Sequence, residues 1–210
     1  ILLLGDPGSG KTGSLASLIN SGKFRFFIQD YDNGLDILRN VVKPEFFDTV
    51  HYVTLTDKVK PGKKGFIGAV GPATAFVKGM ALLDKWVDPD TGEDFGSVYT
   101  WGADTFFVVD SLTFQGMAAL RFVMQQNQRN DLRPRPGDWG HAMDMQEGAL
   151  AQLYSTSVKC NVIVMSHLRL ISPEKDFSAD DEADELGLGL GVNPKLEAAK
   201  ASSSSVAALG

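Results

Sequence analysis

Gly5-Asp6-Pro7-Gly8-Ser9-Gly10-Lys11-Thr12 is the stretch of sequence that decides the fold, because it matches the pattern GxxxxGK[ST] of a phosphate-binding loop. The apolar run Ile1-Leu2-Leu3-Leu4 precedes it, and a segment with helical spacing of leucines follows it. A strand before the loop and a helix after it are the context that this motif requires. The sequence therefore predicts that the chain binds a nucleoside triphosphate.

The chemistry of the loop assigns roles to its residues. Its glycines let successive backbone N–H groups turn toward a phosphate, and the following helix presents its positive end. Lys11 adds a mobile cation and is a candidate catalytic residue, while Thr12 offers a hydroxyl to Mg²⁺. The residues predicted to bind the nucleotide are Gly5, Asp6, Pro7, Gly8, Ser9, Gly10, Lys11, Thr12 and Gly13.

The overall composition narrows the class of protein. The chain has 26 acidic and 20 basic residues, a formal net charge of −6, which argues against a protein that coats polyanions but allows a local basic strip. The lone Cys160 excludes an internal disulfide, and no cluster of Cys and His has zinc spacing. We therefore expect a reducing cytosol and no structural metal. The first apolar run is too short for a signal peptide or a membrane span.

Length and even composition predict a single domain over residues 1–210. The chain opens on a strand without an initiator Met and closes on a small, polar stretch with no strand after it. We therefore expect a fragment that lacks N-terminal residues and C-terminal strands. Residues 170–210 are expected to form a flexible loop and tail.

Apolar, strand-like runs alternate with segments of helical spacing along the first 170 residues. Strands are predicted at 24–29, 51–55, 106–109 and 161–165, and helices at 73–87, at 117–126 and from 139 onward. Two segments are predicted to be irregular: the exposed basic loop 58–64, and 127–137, whose two prolines argue against helix. This alternation predicts an α/β fold, a three-layer core in which helices cover a mainly parallel central sheet.

Charged side chains follow the predicted strands at the edge where a parallel sheet binds its ligands. Phe106-Phe107-Val108-Val109-Asp110 is an apolar strand that ends in an acid, the Walker B pattern, whose carboxylate holds Mg²⁺ through water. Asp30 and Asp32 follow the second predicted strand, and His167 follows the last one. We expect these side chains to converge on one nucleotide, with Asp110 as the second metal-binding residue beside the loop hydroxyl.

Phosphoryl transfer to water needs a group that orients the attacking water. Asp32 is the candidate for that role, and Asp30 is the fallback. The spacing leaves a second interpretation of Asp32 open, in which it caps the backbone of its own turn beside Asn33-Gly34. His167 is either a structural hydrogen-bonding residue or a side chain that senses the terminal phosphate.

These motifs in this order resemble the RecA-type ATPase core, and more closely the phage-encoded Sak-type ATP-binding proteins, which are single-strand annealing recombinases. The resemblance covers most of residues 1–170. The segment from Phe27 to Asp36 is similar to the family segment in which an acid-x-Glu pair ends the second strand, with Asp32 at the position of the Glu that activates water. Three further segments carry the resemblance: Asp110-Ser111-Leu112-Thr113, Asp138-Trp139-Gly140 and Met165-Ser166-His167-Leu168-Arg169.

The resemblance implies a RecA-like P-loop fold and an Mg²⁺-dependent ATPase that acts on single-stranded DNA in recombination or annealing, with ATP as its nucleotide. DNA-contacting loops are implied at 127–137 and 170–195, and His167 takes the role of phosphate sensor. The family also implies self-assembly into a ring or filament, no membrane association, and a location in the bacterial cytosol or a phage-infected cell. The implied catalytic residues are Lys11, Asp32, Asp110 and His167, and the implied DNA contacts are Arg129, Arg133 and Arg135.

Two other classes of function fit the same sequence. A DNA-independent P-loop ATPase or kinase, or a partner-loading switch, is favoured by the acidic net charge and by the run of carboxylates from Asp176 to Glu185. A nucleotide-binding module with little turnover is favoured by Asp32 in place of Glu, because its side chain is shorter by one carbon–carbon bond.

Overall fold

The computed structural model describes residues 1–61 and 67–168, and all structural statements below concern this part of the chain. Residues 1–170 form one compact unit. The predicted tail 170–210, the second DNA loop at 170–195 and the acidic run 176–185 lie outside the described residues. The single domain over residues 1–210 therefore stays a prediction.

Strands and helices alternate along the described chain. In order, they are β1 (Leu2–Gly5), α1 (Lys11–Ile19), β2 (Arg25–Asp30), α2 (Asp36–Val41), β3 (Val50–Thr54), β4 (Val59–Pro61), β5 (Ile67–Ala69), α3 (Ala75–Asp84), β6 (Trp86–Val87), β7 (Asp94–Gly96), β8 (Thr105–Asp110), α4 (Leu112–Gln126), α5 (Pro136–Leu153) and β9 (Asn161–His167). Short 3₁₀ helices span Pro44–Thr49 and Val98–Thr100.

Five strands form a central sheet in the order β1-β9-β8-β2-β3, and every neighbouring pair is parallel. Strand β9 lies between β1, which leads into the phosphate loop, and β8, which ends at Asp110. Two antiparallel hairpins, β4–β5 and β6–β7, stand apart from this sheet. The mainly parallel sheet predicted from the alternation is thereby confirmed.

Alternate residues of the central strands enter two separate cores, one on each face of the sheet. Phe26 and Phe106 pack with α1 and α2, whereas Phe27 and Phe107 pack with α3, α4 and α5. A strand covered on both faces is apolar throughout, and β8 is buried at every position. The α/β fold with three layers is therefore confirmed. No helix of the described residues is long and apolar enough to cross a membrane.

Four element boundaries differ from the predictions. Helix α3 ends at Asp84, and Val87 belongs to strand β6, because the fully buried Trp86 turns the chain into a hairpin. Helix α4 starts at Leu112, five residues earlier than expected. Part of the basic loop is strand β4. Helix α5 begins at Pro136, because proline is favoured in the first turn, where its missing N–H costs nothing.

Candidate functional site

The carboxyl ends of the parallel strands bring the predicted site residues to one edge of the sheet. Gly5 of β1 is the register partner of His167 of β9, and Asp30 of β2 is the partner of Asp110 of β8. The phosphate loop continues from Gly5, and Asp32 lies two residues beyond Asp30. Parallel pairing therefore places the phosphate loop and the three acids along a single edge.

The phosphate loop has the backbone geometry that the sequence motif predicts. Gly8 and Gly10 have φ values of 75° and 85°, in the left-handed region that favours glycine. Helix α1 begins directly after Gly10 and no side chain of the described residues caps it, so the N–H groups of its first turn are available to a phosphate. Lys11 Nζ donates to the carbonyl oxygens of Gly5 at 2.8 Å and Asp6 at 2.9 Å, which holds its charge over the loop.

Thr12 and Asp110 meet where a metal ion is predicted. Thr12 Oγ1 donates to Asp110 Oδ2 at 2.6 Å, and Asp110 Oδ1 is buried without a hydrogen-bond partner among the described residues. Burial raises the pKa of Asp110, and repulsion from Asp32 raises it further. The hydrogen bond from Thr12 lowers this pKa and offsets part of the rise. A divalent cation would satisfy the free oxygen and offset the repulsion between the carboxylates. These residues therefore fit Mg²⁺.

Asp32 and His167 face each other beside this pair. The distance from Asp32 Oδ2 to His167 Nε2 is 3.7 Å, and the side chains are 17% and 18% exposed. Asp32 Oδ1 is buried and has no hydrogen-bond partner in the described chain. Buried polar atoms normally have a partner, so this oxygen is expected to gain one when a ligand or water enters the site. The Phe114 ring packs edge-on against the His167 ring, with centroids 5.4 Å apart.

Asp30, the fallback candidate, holds the turn that carries Asp32. Its Oδ1 accepts from the Gly34 amide at 3.2 Å and its Oδ2 accepts from the Thr54 hydroxyl at 3.3 Å. Burial, partly offset by the hydrogen bond from Gly34 and reinforced by repulsion from Asp32 and Asp110, raises the pKa of Asp30 to about 6. Asp30 thus makes the turn-capping contact that spacing alone had left open for Asp32.

Thr113 and Ser166 lie in segments that carry the resemblance, but no sequence pattern assigned them a role in the candidate site. The two hydroxyl oxygens lie 3.2 Å apart, and Thr113 Oγ1 also accepts from the His167 amide at 3.0 Å. These contacts join the first turn of α4 to the end of β9 and so position His167 beside Asp32. Thr113 and Ser166 are 53 residues apart in sequence, so no local pattern pairs them.

Asp138 organises the loop that carries the three predicted DNA-contacting arginines. It accepts from Asn127 Nδ2 at 2.9 Å and from the Arg135 amide at 2.7 Å, and it lies 3.3 Å from Arg129 Nε. Burial opposes these interactions, but together they lower the pKa of Asp138. Arg129 is only 13% exposed and donates to the Arg133 carbonyl at 2.8 Å, so its guanidinium makes contacts within the loop. Arg135 is exposed.

Comparisons with known proteins add a likeness of fold. No family model matches the chain, and no curated protein matches it. Among solved structures, it is similar to a prototypical ATPase from the type III secretion system of pathogenic bacteria, with 14% identity and a TM-score of 0.49. The match covers 89% of this chain and 48% of that one, so the chain spans about half of that ATPase. The function proposed below therefore rests on the geometry of the site.

Proposed function

We propose that this protein binds Mg²⁺–ATP and hydrolyses it. The observation that carries this proposal is the 2.6 Å hydrogen bond between Thr12 and Asp110, which joins the phosphate loop to the end of β8. A hydroxyl and a carboxylate beside a phosphate loop are the groups that hold Mg²⁺ in P-loop NTPases. The free Asp110 oxygen gives the ion, or one of its waters, a place to bind.

Each residue of the site has a distinct task in this proposal. Backbone N–H groups of the loop and the Lys11 ammonium bind the phosphates, while Thr12 and Asp110 hold the metal. The bound Mg²⁺ would neutralise charge on the phosphates during transfer. Asp32 accepts a hydrogen bond from the attacking water through its free oxygen and so orients it. His167 lies on the other side of Asp32 and restrains its rotation.

We further propose that hydrolysis is coupled to single-stranded DNA, in a cytoplasmic, self-assembling protein of the phage RecA-like kind. The residue resemblance described above supports this finer proposal. So does the position of the 127–135 segment, which follows α4 directly. The first turn of α4 contacts the end of β9 through Thr113, so a single helix connects the phosphate site to the arginine-bearing loop.

Phosphate release by the purified protein tests both levels of the proposal. Turnover should require Mg²⁺ and should fall about 100-fold or more in Lys11→Ala, because a charge at the transferred phosphate is lost. Lys23→Ala, an exposed lysine at the amino end of β2, is the matched control and should not change turnover. Added single-stranded DNA should accelerate hydrolysis. No Mg²⁺-dependent release would refute the ATPase, and release indifferent to DNA would refute only the coupling.

A nucleotide-binding switch with little turnover is the second candidate. It is favoured by Asp32, whose side chain is short and whose second oxygen faces His167. Tight Mg²⁺–ATP binding without measurable phosphate release would support the switch, and in that case Asp32→Glu should raise turnover by restoring the longer reach.

A further inference from the structure

Two exposed lysines lie in and directly before strand β4 of the β4–β5 hairpin. Lys58 and Lys60 are exposed, and Lys60 is the register partner of Gly68 on β5. The Lys58 carbonyl accepts from the Val70 amide at 2.7 Å, which extends the pairing beyond β4. Residues two apart on a strand point to the same face. The two side chains therefore leave the same face of the backbone, with Cα atoms about 6.6 Å apart along the chain.

The hairpin and the residues that follow it contact the end of α4 and the arginine-bearing loop. A side chain added at Gly68 would collide with the Asn130 carbonyl, so the backbone of β5 lies directly against that loop. Gln125, in the last turn of α4, donates to the Gly71 carbonyl at 2.9 Å and accepts from the Ala73 amide at 2.6 Å. Two segments more than 50 residues apart in the sequence thus share one surface.

The exposed charged side chains of this surface are mainly basic, because two of its acids are partly or fully buried. Asp57 Oδ1 accepts from the amides of Thr74 and Ala75, at 2.8 and 3.0 Å. Asp138 accepts from the loop and pairs with Arg129. Asp131 is the exposed acid of the loop. The lysines of the hairpin and the exposed Arg135 exceed it in a protein whose net charge is −6.

We propose that Lys58, Lys60 and Arg135 form one basic strip that binds the phosphodiester backbone of a single-stranded nucleic acid. The spacing of the two lysines is comparable with one nucleotide repeat of an extended strand. Ammonium groups on a strand act as point charges that contact phosphates without reading sequence. This inference rests on the proposed action on single-stranded DNA. It extends the DNA-contacting surface from the arginine-bearing loop to the β4–β5 hairpin.

Fluorescence anisotropy with labelled oligothymidylate tests the strip. Each phosphate contact contributes a slope of about 0.7 to the dependence of log affinity on log salt, or about 5-fold in affinity at 0.1 M salt. The double variant Lys58→Ala/Lys60→Ala should therefore bind about 25-fold more weakly, with a slope smaller by about 1.4. The control double variant Lys23→Ala/Lys159→Ala removes exposed lysines at the amino ends of β2 and β9 and should bind like the wild type.

The outcomes separate this inference from the proposed function. If the wild type binds and the hairpin variant binds equally well, the strip is refuted while the action on DNA stands. If the wild type does not bind at low salt, the action on DNA is refuted as well. Gly68→Ala keeps both lysines but pushes the hairpin from Asn130, so unchanged affinity in this variant would refute a continuous strip. Loss of binding to anionic lipid vesicles, with DNA binding intact, would reassign the lysines to a membrane surface.

Discussion

Asp32→Asn is the substitution that tests the proposed chemistry most directly. It keeps the size of the side chain and one acceptor oxygen but removes the charge that orients and polarises the attacking water. A positioned base contributes about 10²- to 10⁴-fold to a rate, so kcat should fall by that factor, equivalent to about 3–5 kcal/mol in the barrier. Binding of Mg²⁺–ATP should be retained or become tighter, because the Asp32 charge repels Asp110 and helps to raise its pKa.

Single-turnover phosphate release and fluorescent-nucleotide titration measure the two effects separately. Asp36→Asn is the matched control, because it removes a carboxylate from the same segment whose side chain is 96% exposed. A value of kcat within about threefold of the wild type would refute the role of Asp32 in hydrolysis. Loss of nucleotide binding together with turnover would also refute it, since the carboxylate would then be needed for the structure of the site.

The remaining predictions concern the metal, the loop and the core. Asp110→Ala should lose Mg²⁺-dependent ATP binding and Thr12→Ala should weaken it, as measured by titration of Mg²⁺ with a fluorescent nucleotide. EDTA should reduce ATP binding by the wild type to the level of Asp110→Ala. Binding unaffected by EDTA would refute the metal site. Asp138→Ala should lower the free energy of unfolding by about 3 kcal/mol at neutral pH, because the Arg129 guanidinium, the Asn127 side-chain amide and the Arg135 backbone amide lose their partner. Because the pKa of Asp138 is lowered in the folded state, this contribution is present above about pH 4 and is lost as the pH falls below it, so the two denaturation curves should converge in acid and not in base. Gly79→Ala should destabilise the protein by about 1–3 kcal/mol in urea denaturation, because the added methyl meets the Tyr31 hydroxyl, and a stabilised variant would contradict the packing of α3.

The sequence predicts the central sheet well because strands β2 and β8 at its centre are buried on both faces. Strand β8 is apolar from Phe106 to Val109 and is buried at every position. Because no polar residue interrupts this run, the sequence distinguishes it from a surface segment. The phosphate loop is equally predictable, since its glycines and lysine are required by local backbone geometry. Both signals are properties of a few consecutive residues.

The hairpins and the helix starts are less predictable because contacts between distant segments decide them. Val87 continues the helical spacing of α3, yet Trp86 is fully buried in the aromatic cluster with Phe27 and Trp101 and draws the chain into β6. The exposed residues of β4 have no apolar periodicity at all, and the strand exists through its pairing with β5. Tertiary packing overrides local preference at these positions.

Hydrogen bonds distinguish Asp32, the candidate for orienting the attacking water, from Asp30, the fallback. Asp30 ends β2 and Asp32 lies two residues beyond it, and the spacing left a turn-capping role open for Asp32. Asp30 has both oxygens engaged, one by the Gly34 amide and one by the Thr54 hydroxyl. Asp32 keeps one buried oxygen without a partner and lies within 3.7 Å of His167. Because a buried oxygen without a partner is costly, it is expected to be satisfied by a ligand or water, and this requirement favours Asp32 as the residue that orients the attacking water.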